Sequence, residues 1–478
     1  MLINKWRTPF GAEGPLSFGF SGEVLNFGAG GVRPRGLPAR YVTVDRETPM
    51  LLPPDLRDWV PADHLVHFMI DVIGELDVRT ARVNEQGSGS EQYPPAMMLG
   101  LLIYSYATGV FGSRRIEQTT YENVAVRLLC GDTHPDHDTI CSFRRQNREL
   151  LSRSFAQVLE LAARCRVLKV GDITVAIDGT KVLANASRHS AVSSGRAGEQ
   201  LRQVEWEIEQ LLAKAEADDA QPLQDGLSLE GELARRHERK ARLQQARAEI
   251  EARAFARAQQ ERARKAPDQP GPPAPPTPAA TDQYNYTDPQ SRIMPVGGKT
   301  RFEQSYNAQA AVEVESRLIV GQRVCQATND KEQLVPTLAS VAPAAGSVKE
   351  VLTDSGFCSE AAVDQIEHHD EGQPTGITVL AAVGRKAHGR TVADPPAPPL
   401  AAAFTERMAH RTATAAGQTR YKLRQQTVEP VFGIIKQAIG FRRFMLRGLE
   451  NVSLEWILVT LSYNLRRLHT LGAVLKAA

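Results

Sequence analysis

No run of about 18 uninterrupted apolar residues occurs anywhere in this sequence, which excludes an ordinary membrane-spanning helix. The N-terminus also lacks the basic-then-apolar order of a secretory signal. Cysteine is scarce. The five present, Cys130, Cys141, Cys165, Cys325 and Cys358, are odd in number and contain no C-x-x-C pair. Buried thiols in a reducing compartment are therefore expected, with the cytoplasm as the default location. Internal repeats are absent, and the net charge is only +2.

What is present points to a globular chain. At 478 residues and 42% hydrophobic composition it can bury a sizeable core, and its length suggests two to four domains. The small net charge hides an asymmetry: from residue 401 onward Lys and Arg outnumber Asp and Glu by about eight. Such a tail suits a polyanion.

Residues 1–48 are rich in Gly, Pro and aromatics without periodicity, and read as a loose arm. Apolar residues at helical spacing then fill residues 49–168, which predicts an all-helical domain. Its last helix is expected to start at Asp138-Thr139, where the Asp caps free amides, and to carry Arg144, Arg145 and Arg148 on an exposed basic face. The β-branched run ITVAIDGTKVLANAS follows, read as a buried strand that ends at Asp178-Gly179. Residues 196–266 show two charged, Ala-rich helical stretches, expected to form an antiparallel hairpin. A Pro-rich tether at residues 267–281 leads back to a sheet. There TRFEQSYNAQAAVEVESRLIVGQRVCQA predicts two or three strands turning at Glu315-Ser316, KEQLVPTLASVAP a helix, VKEVLTDSGF a strand ending at Asp354, and GITVLAAVG another strand. The last helices lie around QQTVEPVFGIIKQAIGFRRF and LEWILVTLSYNLRRLHTL. The fold class is α/β with a mixed sheet.

Two aspartates at the ends of separate strands and a glutamate on a later helix, Asp178, Asp354 and Glu429, supply what phosphoryl transfer needs. Hard divalent cations prefer carboxylate oxygens and keep waters that leave room for a phosphate oxygen and a nucleophile. With Mg²⁺ or Mn²⁺ in a two-ion site, Asp178 is the natural bridging ligand. Seven residues beyond Glu429, Lys436 is expected on the same helical face. Gly433 between them would let a nucleic-acid backbone come close. Tyr421 and Arg424 lie upstream within reach of phosphates, and Arg442, Arg443 and Arg447 extend a basic track whose binding would be salt-sensitive.

The segments VAIDGTKVLANAS, VLTDSGF and YKLRQQTVEPVFGIIKQAIGFRRFMLRG resemble the three acidic blocks of DDE transposases from bacterial insertion sequences. The third is similar to the Tyr, Arg, Glu, Lys signature of that superfamily, here Tyr421, Arg424, Glu429 and Lys436. The Arg-to-Glu spacing is a residue longer than the commonest form, which leaves the role of Arg424 open. The blocks LLPPDLRDWVPADHLVHFMIDVI, YPPAMMLGLLIYSYATGVFGSRRIEQ and PDHDTICSFRR resemble the N-terminal helical domain of the same proteins. The IS-eleven-eighty-two group, with its charged helical insertion after the first Asp, is the nearest in pattern. The resemblance implies an RNase H-like core at residues 169–195 and 282–478, interrupted by the hairpin. It also implies metal-assisted cleavage at terminal inverted repeats and joining of the 3′-OH ends to target DNA. The partners implied are double-stranded DNA and a second copy of the chain, in a nucleoid-associated bacterial protein.

Other polar clusters have blander readings. His134, Asp136, His137 and Asp138 have the density of a zinc site but precede a helix that Asp138 would cap. His64 and His67 read as ordinary surface or core histidines. Asp330 follows a strand and could cap a helix with Asn329, or support the site from behind. Asp288 reads as a turn residue that could touch DNA or metal, and Tyr306, Asn307 and Gln309 as strand residues positioning substrate. Two alternatives to transposition are a nuclease on the same core and a decayed or domesticated DNA-binding protein.

Overall fold

A computed structural model describes residues 55–83, 91–169, 171–217, 229–265, 276–297, 301–369, 372–383, 394–399 and 401–473. The expected arm at 1–48 and most of the tether lie outside them.

Six helices open the described chain: α1 (Leu65–Glu75), α2 (Pro95–Ala107), α3 (Ser113–Glu122), α4 (Val124–Leu129), α5 (His137–Gln146) and α6 (Arg148–Arg164). The single helix expected from Asp138 is two helices, broken at the buried Asn147. The Asn147 side chain accepts from Arg82 N at 2.7 Å and donates back to Phe143 O, so a side chain holds the break open. The cap is Asp136 rather than Asp138: its carboxylate accepts from the backbone N–H of Asp138 and of Thr139, both at 2.9 Å. His64 caps α1 through Nδ1.

The chain then runs through β1 (Asp172–Leu183), β2 (Ala191–Ser193), α7 (Ser194–Ala217), α8 (Leu229–Lys265), β3 (Gln283–Asn285), β4 (Arg292–Pro295), β5 (Phe302–Glu313), β6 (Ile319–Cys325), α9 (Leu334–Leu338), β7 (Ser347–Thr353), α10 (Glu360–Glu367) and β8 (Thr378–Ala381), of which β2 and β3 form a ribbon of their own and the other six strands one sheet. Its order is β4-β5-β1-β7-β8, with β6 also on β5. Strand β5 pairs antiparallel with β1 and β6 antiparallel with β5, while β7 pairs parallel with β1 and β8 parallel with β7. This mixed order is the RNase H-like arrangement. The turn between β5 and β6 closes with Arg317 at φ 61°.

The helices α7 and α8 pack together as a hairpin that lies, in chain order, between β1 and β5. It has its own small apolar core, with Val204, Ile208, Leu243, Ala246 and Ile250 buried between the two helices. The β2–β3 ribbon fastens its base, and Arg253 donates to Gln283 O and Pro289 O where the chain returns.

The last helices are α11 (Phe404–Ala413), α12 (Ala415–Gly433) and α13 (Leu449–Thr470). Helix α13 is buried on nearly every side, packing on α2 and α6 and on β6. One continuous core therefore runs from the N-terminal helices through α13 into the sheet. Among the described residues no helix is long and apolar enough to cross a membrane.

Candidate active site

Asp178 lies within β1 rather than at its end. The strand continues to Leu183 because β5 pairs with it along that whole length, whereas β7 stops opposite Ala176. Beyond that point β1 loses one neighbour, and a gap opens beside Asp178 at the carboxyl end of the parallel pair. Open α/β sheets bind ligands at such places. Asp354 follows the last residue of β7 directly, so it borders the same gap.

Helix α12 crosses the gap and brings Arg424 and Glu429. Arg424 is the hub: its Nη2 donates to Asp178 Oδ2 at 2.9 Å and lies 3.7 Å from Asp354 Oδ2, while Nη1 lies 3.9 Å from Glu429 Oε1. The guanidinium is buried, whereas the Glu429 side chain is 58% exposed. Three carboxylates from three elements thus face one cation. The tight contact to Asp178 also gives the out-of-pattern Arg424 a defined place. Its Nε is buried without a partner.

Burial pushes the Asp178 carboxyl up to about 6, against the pull of Arg424; Asp354 and Asp330 nearby add to the rise. The Tyr421 hydroxyl is raised, first by burial, while Arg424 pulls it back.

Lys436 is reached from Glu429 through a change of helix type. Helix α12 passes into a π-helical turn at Ile434–Ala438, which changes the angular step per residue, and Lys436 Nζ reaches the backbone oxygen of Lys181 at 2.9 Å. Gly433 immediately precedes that turn, where a Cβ would meet nothing within 4 Å. Arg442, Arg443 and Arg447 are exposed on the following loop. That loop is stitched to the end of β1: Leu183 N donates to Arg442 O, Phe444 N to Leu183 O, and Arg447 Nε to Asn185 O.

Asp330 does not cap a helix with its side chain. Its Oδ1 accepts from Asn307 Nδ2 at 2.6 Å and from Gln309 Nε2 at 2.8 Å, with Lys181 Nζ at 3.4 Å. This cluster abuts Gly179, the neighbour of Asp178, where a Cβ would come within 2.4 Å of the Gln309 amide nitrogen. Glycine leaves the space that the Gln309 amide and the Asp330 carboxylate occupy, so a larger residue would displace them. Asp288 is instead a structural clasp: fully buried, it accepts from the Tyr306 hydroxyl at 2.8 Å and from Gly448 N at 3.3 Å.

One expectation fails outright. Arg144 is 3% exposed and cannot face DNA. Its Nη1 donates to the Tyr106 hydroxyl and to Phe111 O, both at 2.8 Å, and Tyr106 in turn donates to the fully buried Glu455 at 2.7 Å. Only Arg145 of that pair is exposed. The His134–Asp138 stretch is not a metal site: His134 stacks on Tyr121, His137 meets Glu117 at 2.8 Å, and Asp136 is the cap. Helical periodicity cannot tell a basic face from a single inward arginine, which is why Arg144 was misplaced. Glu455, a buried acid in an apolar run, left no signal either.

Among the described residues no three His, Cys, Asp or Glu side chains approach closely enough to hold one ion together. In the acidic site it is Arg424 that bridges them.

Two family models match the chain: Transposase domain (DUF772) over residues 54–146 and Transposase DDE domain over residues 385–469. The first covers α1 to α5, and the second covers α11 to α13 with Arg424 and Glu429; Asp178 and Asp354 fall between the two. No curated protein and no solved structure matches the chain. Two regions matching transposase domains, in this order and around a mixed sheet, support an insertion-sequence DDE transposase, and the DDE domain is one of metal-dependent DNA cleavage and strand transfer.

Proposed function

We propose that Asp178, Asp354 and Glu429 are the metal-binding and catalytic carboxylates of this transposase. The observation that carries the reading is their convergence, from β1, the end of β7 and α12, on the single guanidinium of Arg424. Three oxygen donors of one charge, gathered where the sheet opens, form a set suited to hard divalent cations. Mg²⁺ or Mn²⁺, as two ions, would polarise the scissile phosphate and the attacking oxygen. The chain's own groups do the rest. Arg424 neutralises the acids and fixes Asp178, Tyr421 packs against Arg424, and Lys436, Arg442, Arg443 and Arg447, with Arg145 further off, line a path for phosphates.

The substrate is double-stranded DNA carrying the element's terminal inverted repeats, with target DNA as acceptor. Joining two ends calls for two copies of the active site, so a homodimer on paired ends is the working form. It acts at the nucleoid, in the cytoplasm. The charged hairpin between β1 and β5 supports the finer affiliation to the IS-eleven-eighty-two group. We divide the labour between the helices of residues 49–168, for DNA binding and assembly, and the core at 169–195 and 282–478, for chemistry; the hairpin at 196–266 is a separate module.

The test is incubation with supercoiled plasmid carrying the element's ends, in Mg²⁺, Mn²⁺ or EDTA, with Asp178→Asn alongside. Metal-dependent cutting at the ends, lost in the variant, is expected. Equal cutting by Asp178→Asn would overturn the site.

A further inference from the structure

Three residues beyond Asp178, on the same strand, stands a lysine that the sequence motifs passed over. Lys181 is largely enclosed, its side chain 17% exposed, and among the described residues its ammonium pairs with the carboxylate of Asp330, Oδ1 at the long distance of 3.4 Å. Its second charged neighbour is another cation. Lys436 donates to the backbone oxygen of Lys181, and burial together with the Lys181 charge holds the Lys436 ammonium below its usual range. Two half-enclosed lysines in contact, the ammonium of one on the backbone of the other and each repelling the other's charge, oppose folding through that repulsion and desolvation. A fold keeps such an arrangement where an anion relieves it.

The surroundings are equally specific. Asn307 and Gln309 both turn their amide N–H groups to Asp330, which leaves Asn307 Oδ1 and Gln309 Oε1 buried without donors. An acceptor buried without a donor is unfavourable. Gly179 is needed for this cluster to close against β1. The cost is incurred to hold Asp330, and Asp330 in turn holds Lys181. Just beyond, the exposed Arg442, Arg443 and Arg447 lie on the loop stitched to Leu183 and Asn185 of the same strand. Lys181 therefore connects Asp178 to the basic loop.

We infer that Lys181 and Lys436 together form a seat for a DNA phosphodiester beside Asp178, with Asp330 as the residue that positions Lys181. The ligand is a backbone phosphate of the bound DNA, recognised by charge and without sequence preference. This rests on the reading of Lys436 and the loop arginines as a DNA path. The seat brings Lys181 to that path as the member nearest in sequence to the first catalytic aspartate. Asp330 acts through Lys181 and does not itself contact DNA.

The experiment measures affinity of the full chain for a short random-sequence duplex over a range of salt, in EDTA, so that metal binding and cleavage play no part. For Lys181→Gln the slope of log affinity against log salt should fall by about 0.9, one phosphate contact. Lys181→Arg should restore most of it. Asp330→Asn should weaken binding less than Lys181→Gln, and the double variant should bind no worse than Lys181→Gln alone, as expected when one residue works through the other. An unchanged slope in Lys181→Gln, with wild type and Lys436→Gln behaving as a DNA path requires, overturns the seat alone. A wild type without salt-dependent binding overturns the DNA path and the seat together. Additive losses in the double variant overturn the positioning role of Asp330. Thermal unfolding of each variant separates a damaged fold from a lost contact.

Discussion

Two buried arginines among acids sit in this molecule, and they are built to opposite rules. Arg144 is matched. It reaches one acid, Glu455, through Tyr106, and that acid also accepts the backbone N–H groups of Met445 and Leu446. Arg424 faces an excess of acid: Asp178, Asp354 and Glu429, two of them with side chains 39% and 58% exposed. The matched network ties α2 and α5 to α13 and to the basic loop. The unmatched one sits in the gap that opens beside the central strand β1 where its pairing with β7 ends. A balanced buried charge cluster specifies structure, whereas one with surplus charge and an open side is arranged for a ligand.

The sharpest way to break this comparison is to remove one acid from each cluster. Glu429→Gln should abolish strand cleavage in the plasmid assay while changing stability by no more than about 0.5 kcal/mol, because exposed carboxylates contribute little. Cleavage retained by this variant would remove Glu429 from the site. Glu455→Ala should lower stability by about 3–5 kcal/mol, since it leaves Arg144 buried without its acid and two backbone donors unpaired. Urea unfolding measures this, and a loss under 1 kcal/mol would show the network to be dispensable.

The third expectation uses pH. Asp178 holds its proton up to about 6 in the folded protein and to roughly 3.9 when unfolded. A carboxyl raised on folding favours the native state at low pH and loses that contribution as the pH climbs from about 4 to about 6. In EDTA, Asp178→Asn should therefore unfold at higher temperature than wild type at pH 7, by an increment on the order of 2–3 kcal/mol, with the gap closing toward pH 4. A variant less stable at pH 7 would mean that the ion pair with Arg424 outweighs burial. The smallest effect is expected at the rim: Arg443→Gln should leave stability within about 0.5 kcal/mol and reduce the salt slope of DNA binding by about 0.9.

Much of the framework was legible because it rests on local pattern. The β-branched run before Asp178, the two charged helices of the hairpin and the strand before Asp354 stand where periodicity placed them. The interruptions were less legible. Asn147 breaks a helix whose apolar spacing continues through the break, and the π-helical turn at Ile434–Ala438 redirects Lys436 without any mark in the spacing. The strand β1 overran its expected end at Asp178 because its length is set by its partner β5, hundreds of atoms of chain away in sequence.

By itself the sequence determined which residues carry charge and oxygen donors, and the order in which the elements bearing them occur, since composition and periodicity are properties of neighbours along the chain. Only the tertiary structure decided which of those charges meet. The same residue type is an internal tie at Arg144 and a hub of three converging acids at Arg424, and Lys436 meets the backbone of Lys181 across 255 positions. Burial and partnership depend on what packs against a side chain from distant segments, and no local pattern encodes that.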